Sequence, residues 1–527
     1  MKKYLKYVSL MGICAILSPI MSSCNSSQDT EDVVYVKVLN AGDYVYLNDP
    51  ENGYNEKDLT EQYVDWINEP ENKAKYFGED FNKRVEIIYD TYDTNETMYN
   101  ELKTGKSSYD LVCTSDYMIQ RLAKAEMIQK IDMTSVENYK TYGSDFLIGE
   151  NGKLNTTLID PEDSSLGTLN DFTIGYMRGT LGLMFNPEFK RINGRESEDV
   201  INDFCAPDGW NTLWEKSQYY ANCASIKDSM RDTYAMGLVH TFSDEFEELY
   251  NAYDGNYSDE YNKKVSEIFN RHDDETIDKV QASLIDLKNY IYGFEVDTGK
   301  SDIVTGKVGI NLCWSGDAVY SMDTAEENGT TLYFALPEYC CNIWFDGFCM
   351  PSAVTGDHKS GANSFLDFLS LPATAANNMD YVGYTPFIGG SDVFDIVTEW
   401  YDCRYDEDGN LDESVESYPY DLSYFFRNDT TDTSDYIVHV DPEQINRQMR
   451  AQYPMVSDLP HLAIMQDFGA QQNDKIVSMW ENVKVNPLPI WVTIIVITAF
   501  VLIVGFLGSY KLINKAKIKK RKRIREE

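Results

Sequence analysis

Three spacings of apolar and polar positions follow one another between Val85 and Ser115, in the stretch VEIIYDTYDTNETMYNELKTGKSSYDLVCTS. Val85, Ile87 and Ile88 read as the β-branched half of a buried strand. The chain then turns polar from Asp90 to Glu96, where Asp93 and Glu96 have the spacing of a capping box, so a helix is expected to start there. Met98, Tyr99 and Leu102 form its apolar side and Gly105 stops it. The apolar run of YDLVCTS, with Cys113 inside it, predicts a second strand buried on both faces. Together these elements predict a right-handed βαβ unit whose ligand mouth lies beyond the carboxyl ends of its strands, at Thr91 to Thr94 and Cys113 to Tyr117.

Two other apolar runs sit at the ends of the chain and differ in kind. The first, in MKKYLKYVSLMGICAILSPIMSSCNSS, follows a basic start, extends from Val8 to Ile20 and meets small residues before Cys24, the layout of a secretory signal over residues 1–24. The second, Pro489 to Tyr510, offers about 20 apolar residues between Trp491 and Tyr510, which predicts a transmembrane helix over 489–510. The basic residues 511–527 then form a cytoplasmic tail by the positive-inside rule, with residues from about 25 to 485 facing outward. The location expected is the cell membrane, with the folded part on the extracytoplasmic side.

A chain of 527 residues exceeds one core, and 43% hydrophobic with 13% aromatic content suffices to build two. The formal net charge is −40, and because basic residues gather at both ends the middle carries roughly −50. Such a surface repels nucleic acid and anionic substrates and attracts cations, although a solvated acidic face that only keeps the protein soluble is the commoner reason for such charge, which by itself selects no ligand.

Catalytic and metal signatures are absent from the sequence. Eight cysteines lie between Cys113 and Cys403 without a disulfide framework; Cys113, Cys313 and Cys349 read as core residues, and adjacent Cys340 and Cys341 have no CxxC partner for zinc. The five histidines are scattered, and His240 reads as a helix residue. No GxSxG, HExxH, Walker loop or GxGxxG after a strand occurs, and no repeat of 20 to 50 residues suggests a solenoid. No catalytic residue, cofactor or metal is implied.

The segment IIYDTYDTNETMYNELKTGKSSYDLVCTSDYMIQRLAKAEMIQKID resembles, almost residue by residue, the first lobe of the bacterial spermidine/putrescine-binding proteins, the substrate receptors of polyamine ABC importers. The resemblance continues through FTIGYMRGTLGLMFNPEF, IKDSMRDTYAMGL, KVGINLCWSGDAVYSM, NIWFDGFCMPSAV and NNMDYVGYTPF, covering most of Val33 to Phe387, and resumes at AIMQDFGAQQNDKIVSMWENVK. MSSC likewise resembles a lipobox, in which Cys24 would be lipidated, with Met21 where leucine is usual. The resemblance implies an α/β, two-lobed periplasmic-binding-protein-like fold with a hinge and an interlobe cleft, to which the apolar run adds one C-terminal transmembrane helix. Residues 32–172 and 345–400 would form the first lobe, 175–340 and 440–485 the second, and 401–439 an acidic insertion.

Polyamines are methylene chains bearing two to four ammonium groups, so their site needs carboxylates at intervals and flat aromatic walls, with cation–π attraction added. The resemblance places Tyr44, Tyr117, Trp314, Trp344 and Tyr384 as walls, Asp232 and Asp346 as ammonium partners, and Ser115 and Gln466 beside them. Each has a plainer reading: Trp314 packs after a strand, Asp232 pairs with Arg231 at a helix start, and Asp346 caps a turn into Gly347. Their co-occurrence at strand ends favours the site. Ala41 and Gly42 replace a Trp-Thr pair usual in the family, and Ser229 replaces a second carboxylate found in some members, for which Asp228 or Asp116 could substitute. The expected function is capture of spermidine or putrescine for a permease and its ATPase. The alternatives are a membrane-tethered polyamine sensor or a receptor for another small cation, and beyond these an exported enzyme or adhesin.

Overall fold

The computed structural model describes residues 32–485 except 43, 51–53, 55, 106–107, 297, 407–408 and 427–433, together with 498 and 502. The chain divides into a unit ending at Ile476 and another from Val477, and the cleft described below lies wholly in the first.

Eight strands form the backbone of that unit: β1 (Val33–Ala41), β2 (Arg84–Tyr92), β3 (Leu111–Ser115), β4 (Thr173–Phe185), β5 (Ala224–Lys227), β6 (Gly293–Glu295), β7 (Ile310–Trp314) and β8 (Cys341–Pro351). Their order across one continuous sheet is β2-β1-β3-β8-β4-β7-β5-β6. The two flanks, β2-β1-β3 and β7-β5-β6, are parallel. The middle strands β8 and β4 run antiparallel to each other and to the strand on either side. This makes two α/β lobes joined by two strands that belong to both.

The sequence of β4, TIGYMRGTLGLMF, is buried at every position. Its first half pairs with β8 and its second half with β7, and the side chains on both of its faces are buried. Two glycines near this crossing act through the side chain they lack. A Cβ on Gly179 would collide with the Trp344 indole, and one on Gly316 with the Tyr384 ring. Both rings therefore lie directly against backbone.

The βαβ unit is present, with three refinements. The helix α1 (Asn95–Thr104) is capped by Thr94, whose hydroxyl accepts from the Thr97 amide at 3.2 Å, one residue later than the Asp93 cap expected. Gly105 does close it in the left-handed conformation, φ 62°. The strand β2 is an edge, so only Val85 among its residues is fully buried, and β1 lies between β2 and β3. Cys113, Cys313 and Cys349 are buried thiols as expected. Tyr418–Asp421 and Ile437–Val440 pair as a separate two-stranded ribbon within the region expected as an insertion.

The expected transmembrane helix is corrected: no helix among the described residues is long and apolar enough to cross a membrane. The helix nearest that stretch, Gly469–Lys484, has 16 residues and includes Asp474, Lys475, Glu481 and Lys484, too short and too charged for a hydrocarbon layer about 30 Å thick. Of residues 489–510 only Thr498 and Leu502 are described; Cys24, the signal 1–24 and the tail 511–527 lie outside the described residues.

Candidate ligand-binding cleft

The strand β3 ends at Ser115 and passes straight into helix α2 (Asp116–Lys124), so Ser115, Asp116 and Tyr117 crowd the carboxyl edge of the first lobe. Antiparallel pairing sets Asp346 of β8 opposite Ser115. The Ser115 hydroxyl donates to Asp346 Oδ1 at 2.7 Å and the Tyr44 hydroxyl to Oδ2 at 2.9 Å. Burial pushes the Asp346 carboxyl above its usual range, and the two hydroxyls only partly oppose this. No lysine or arginine among the described residues forms an ion pair with it.

Three of the five expected aromatic walls meet beside this carboxylate. Tyr44 and Tyr384 stand edge to face, centroids 5.8 Å apart, and Tyr384 meets Trp344 at 5.6 Å. Tyr384 in turn donates its hydroxyl to Asp317 Oδ1 at 3.3 Å. The buried Trp344 indole N–H has no hydrogen-bond partner among the described residues.

The second carboxylate lies across the sheet. Ser229 caps helix α3 (Met230–Thr241), accepting from the Asp232 amide at 3.3 Å, which fixes Asp232 in the first turn. Trp314, the last residue of β7, donates its indole N–H to Asp232 Oδ2 at 3.2 Å. Burial raises the Asp232 carboxyl, with the Ser229 hydrogen bond and the charges of Arg231 and Lys227 acting against it. Ser229 is thus used as a helix cap.

Tyr117 and Gln466 come together through a residue outside the expected set. The Arg231 guanidinium lies 4.0 Å from the centre of the Tyr117 ring and donates to the backbone carbonyls of Met465 at 3.0 Å and Gln466 at 2.9 Å. Gln466 therefore meets the cleft through its main chain, its own amide donating to Asn270 at 2.8 Å. Asp116 accepts from the amides of Tyr117 at 2.6 Å and Phe345 at 3.1 Å. Burial pushes its carboxyl up to about 7 although Arg231 opposes this.

Sequence reasoning missed a buried charge cluster at the carboxyl ends of β5, β6 and β7. Lys227 Nζ sits 3.4 Å from Asp317 and 3.8 Å from Glu295, and 4.5 Å from the centre of the Trp314 ring; Lys300 reaches Asp317 at 3.3 Å. Asp317 stands in the first turn of helix α4 (Ser315–Glu327), within the WSGD run that drew notice only for its tryptophan. Asn95 was missed too: its amide donates to Ser115 at 3.0 Å and to the Tyr117 hydroxyl at 3.2 Å.

The chain is similar to known proteins in sequence and in fold. The spermidine/putrescine-binding periplasmic protein of Escherichia coli is 26% identical over 301 residues, 57% of this chain and 70% of that protein. The putrescine-binding periplasmic protein SpuD of Pseudomonas aeruginosa is 26% identical over 305 residues, 57% of this chain and 71% of its own. In fold, the spermidine/putrescine ABC transporter substrate-binding protein PotD of Streptococcus pneumoniae superposes with a TM-score of 0.52 at 21% identity, covering 85% of this chain and 98% of that one. The relatives are periplasmic by name and no described helix spans a membrane, so the expected membrane protein with a cytoplasmic tail is withdrawn. The profile of the bacterial extracellular solute-binding proteins matches residues 72–400, more than half of the sequence, and the chain belongs to that family.

Proposed function

We propose that the chain is a receptor that captures a polyamine of the spermidine/putrescine class between its two lobes, outside the cytoplasm, and delivers it to the permease and ATPase of an ABC importer without chemical change. The observation that carries this reading is Asp346: a half-buried carboxylate, oriented by two hydroxyls, walled by Tyr44, Trp344 and Tyr384, and lacking an ion-pair partner among the described residues. An ammonium group supplies the missing charge, and the aromatic faces suit the methylenes that follow it. Asp232 with Trp314 is the second ammonium partner, and Ser115, Tyr117 and Gln466 complete the boundary. The names of the relatives support the ligand class. Calorimetric titration of the full-length chain with polyamines, amino acids, sugars and iron tests it: saturable heat with polyamines alone is expected, and tighter binding of any other class would overturn it.

A further inference from the structure

Positive charge is distributed unequally along the cleft. At one end Asp346 is held by hydroxyls only. At the other, Asp232 shares its surroundings with Arg231 and Lys227, both of which bear on its carboxyl. Lys227 is 5% exposed, and its ammonium lies against the same indole ring whose N–H binds Asp232. Burial works against the lysine's charge, but Asp317 and Glu295 outweigh it and hold the ammonium protonated.

A ligand ammonium brought to Trp314 therefore meets a resident one. Attraction to an aromatic face is electrostatic, and a like charge already 4.5 Å from the centre of the same ring opposes it, in a part-buried setting, by an amount equivalent to roughly tenfold in affinity. We propose that Lys227 is a specificity-determining residue: it makes the Asp232–Trp314 end a weak ammonium subsite, leaves Asp346 the strong one, and so favours a short diamine over a longer triamine. The proposal rests on the polyamine reading above and deepens it.

Titration of the unmodified full-length chain with putrescine and spermidine comes first; if neither binds, the polyamine reading itself falls. Given binding, putrescine is expected to be favoured, and Lys227→Met to tighten spermidine relative to putrescine by at least about fivefold, as loss of a nearby like charge requires. Lys227→Arg restores the charge and is expected to restore the preference. Lys279→Met, at a lysine with a 52% exposed side chain, controls for net charge. An unchanged spermidine-to-putrescine ratio in Lys227→Met, or an equal change in Lys279→Met, overturns the proposal. Should Lys227→Met fail to fold, two other variants decide: Asp346→Asn is expected to cost at least about tenfold more putrescine affinity than Asp232→Asn, because only Asp346 lacks a cation nearby. Equal losses would overturn it.

Discussion

Asp346, half-buried, and Asp317, buried, are carboxylates at the junction of the two lobes, yet their surroundings differ in kind. Asp317 is held between Lys227 and Lys300, with the Tyr384 hydroxyl as a third contact. Asp346 has two hydroxyls and no cation paired with it among the described residues. A buried charge that carries its own counter-ion belongs to the fold; one that is oriented but uncompensated is arranged for an ion that arrives from outside. Under the proposed function, this difference marks Asp346 out among the 86 acidic residues of the chain, a task that counting them cannot perform.

The largest effect expected from this contrast is on binding. Asp346→Asn keeps size and removes charge, and is expected to weaken polyamine affinity at least ~30-fold by calorimetry, since truncating one side of a buried charge pair costs about 2 to 5 kcal/mol. Because its carboxyl is disfavoured by burial in the unliganded state, the same variant should leave the denaturation midpoint unchanged or higher. Asp317→Asn is expected to do the reverse. It removes a counter-ion from Lys227 and should lower stability by roughly 3 kcal/mol in chemical denaturation. A variant of either kind that lost both properties equally would erase the distinction.

A subtler effect concerns Asp116. Burial pushes its carboxyl up to about 7. A carboxyl raised in the folded state favours folding while protonated, so its contribution is complete below the ordinary carboxylate range and is lost as pH rises through about 7. Thermal melts of the unliganded chain should fall between about pH 4 and 7, and Asp116→Asn should flatten that span. The smallest effect belongs to the exposed ribbon region: Glu413→Gln, at a solvated carboxylate, should alter polyamine affinity less than about twofold, because exposed charges are screened.

The parts of this picture legible in the sequence are those fixed by neighbouring residues. Val85 to Ser115 announced strand, helix and strand because periodicity and a stop at Gly105 are local, and the cap was misplaced by one residue because Asp93 and Thr94 are both competent acceptors. Asp346 and Trp314 were singled out through their motifs. Lys227, Glu295 and Asp317 were not, since the cluster exists only when β5, β6 and β7 align, and no spacing within the chain links residues 68 and 22 positions apart. Nor does any motif disclose that β1 inserts between β2 and β3, because parallel pairing is decided by contacts far apart in sequence. The apolar run at 489–510 fits the length of a spanning helix, but the chain's own relatives are periplasmic by name and no described helix bears that reading out.

β4 and β8 pass through both lobes, paired at seven positions from Ile343 to Cys349 with one register shift between Asp346 and Gly347. A swivel at a loop would let the lobes part freely, whereas a ribbon of hydrogen-bonded strands is held along its ladder and bends most readily where that ladder is interrupted, here between Asp346 and Gly347. Prying the lobes apart thus bends a leaf spring rather than turning a door on its pin.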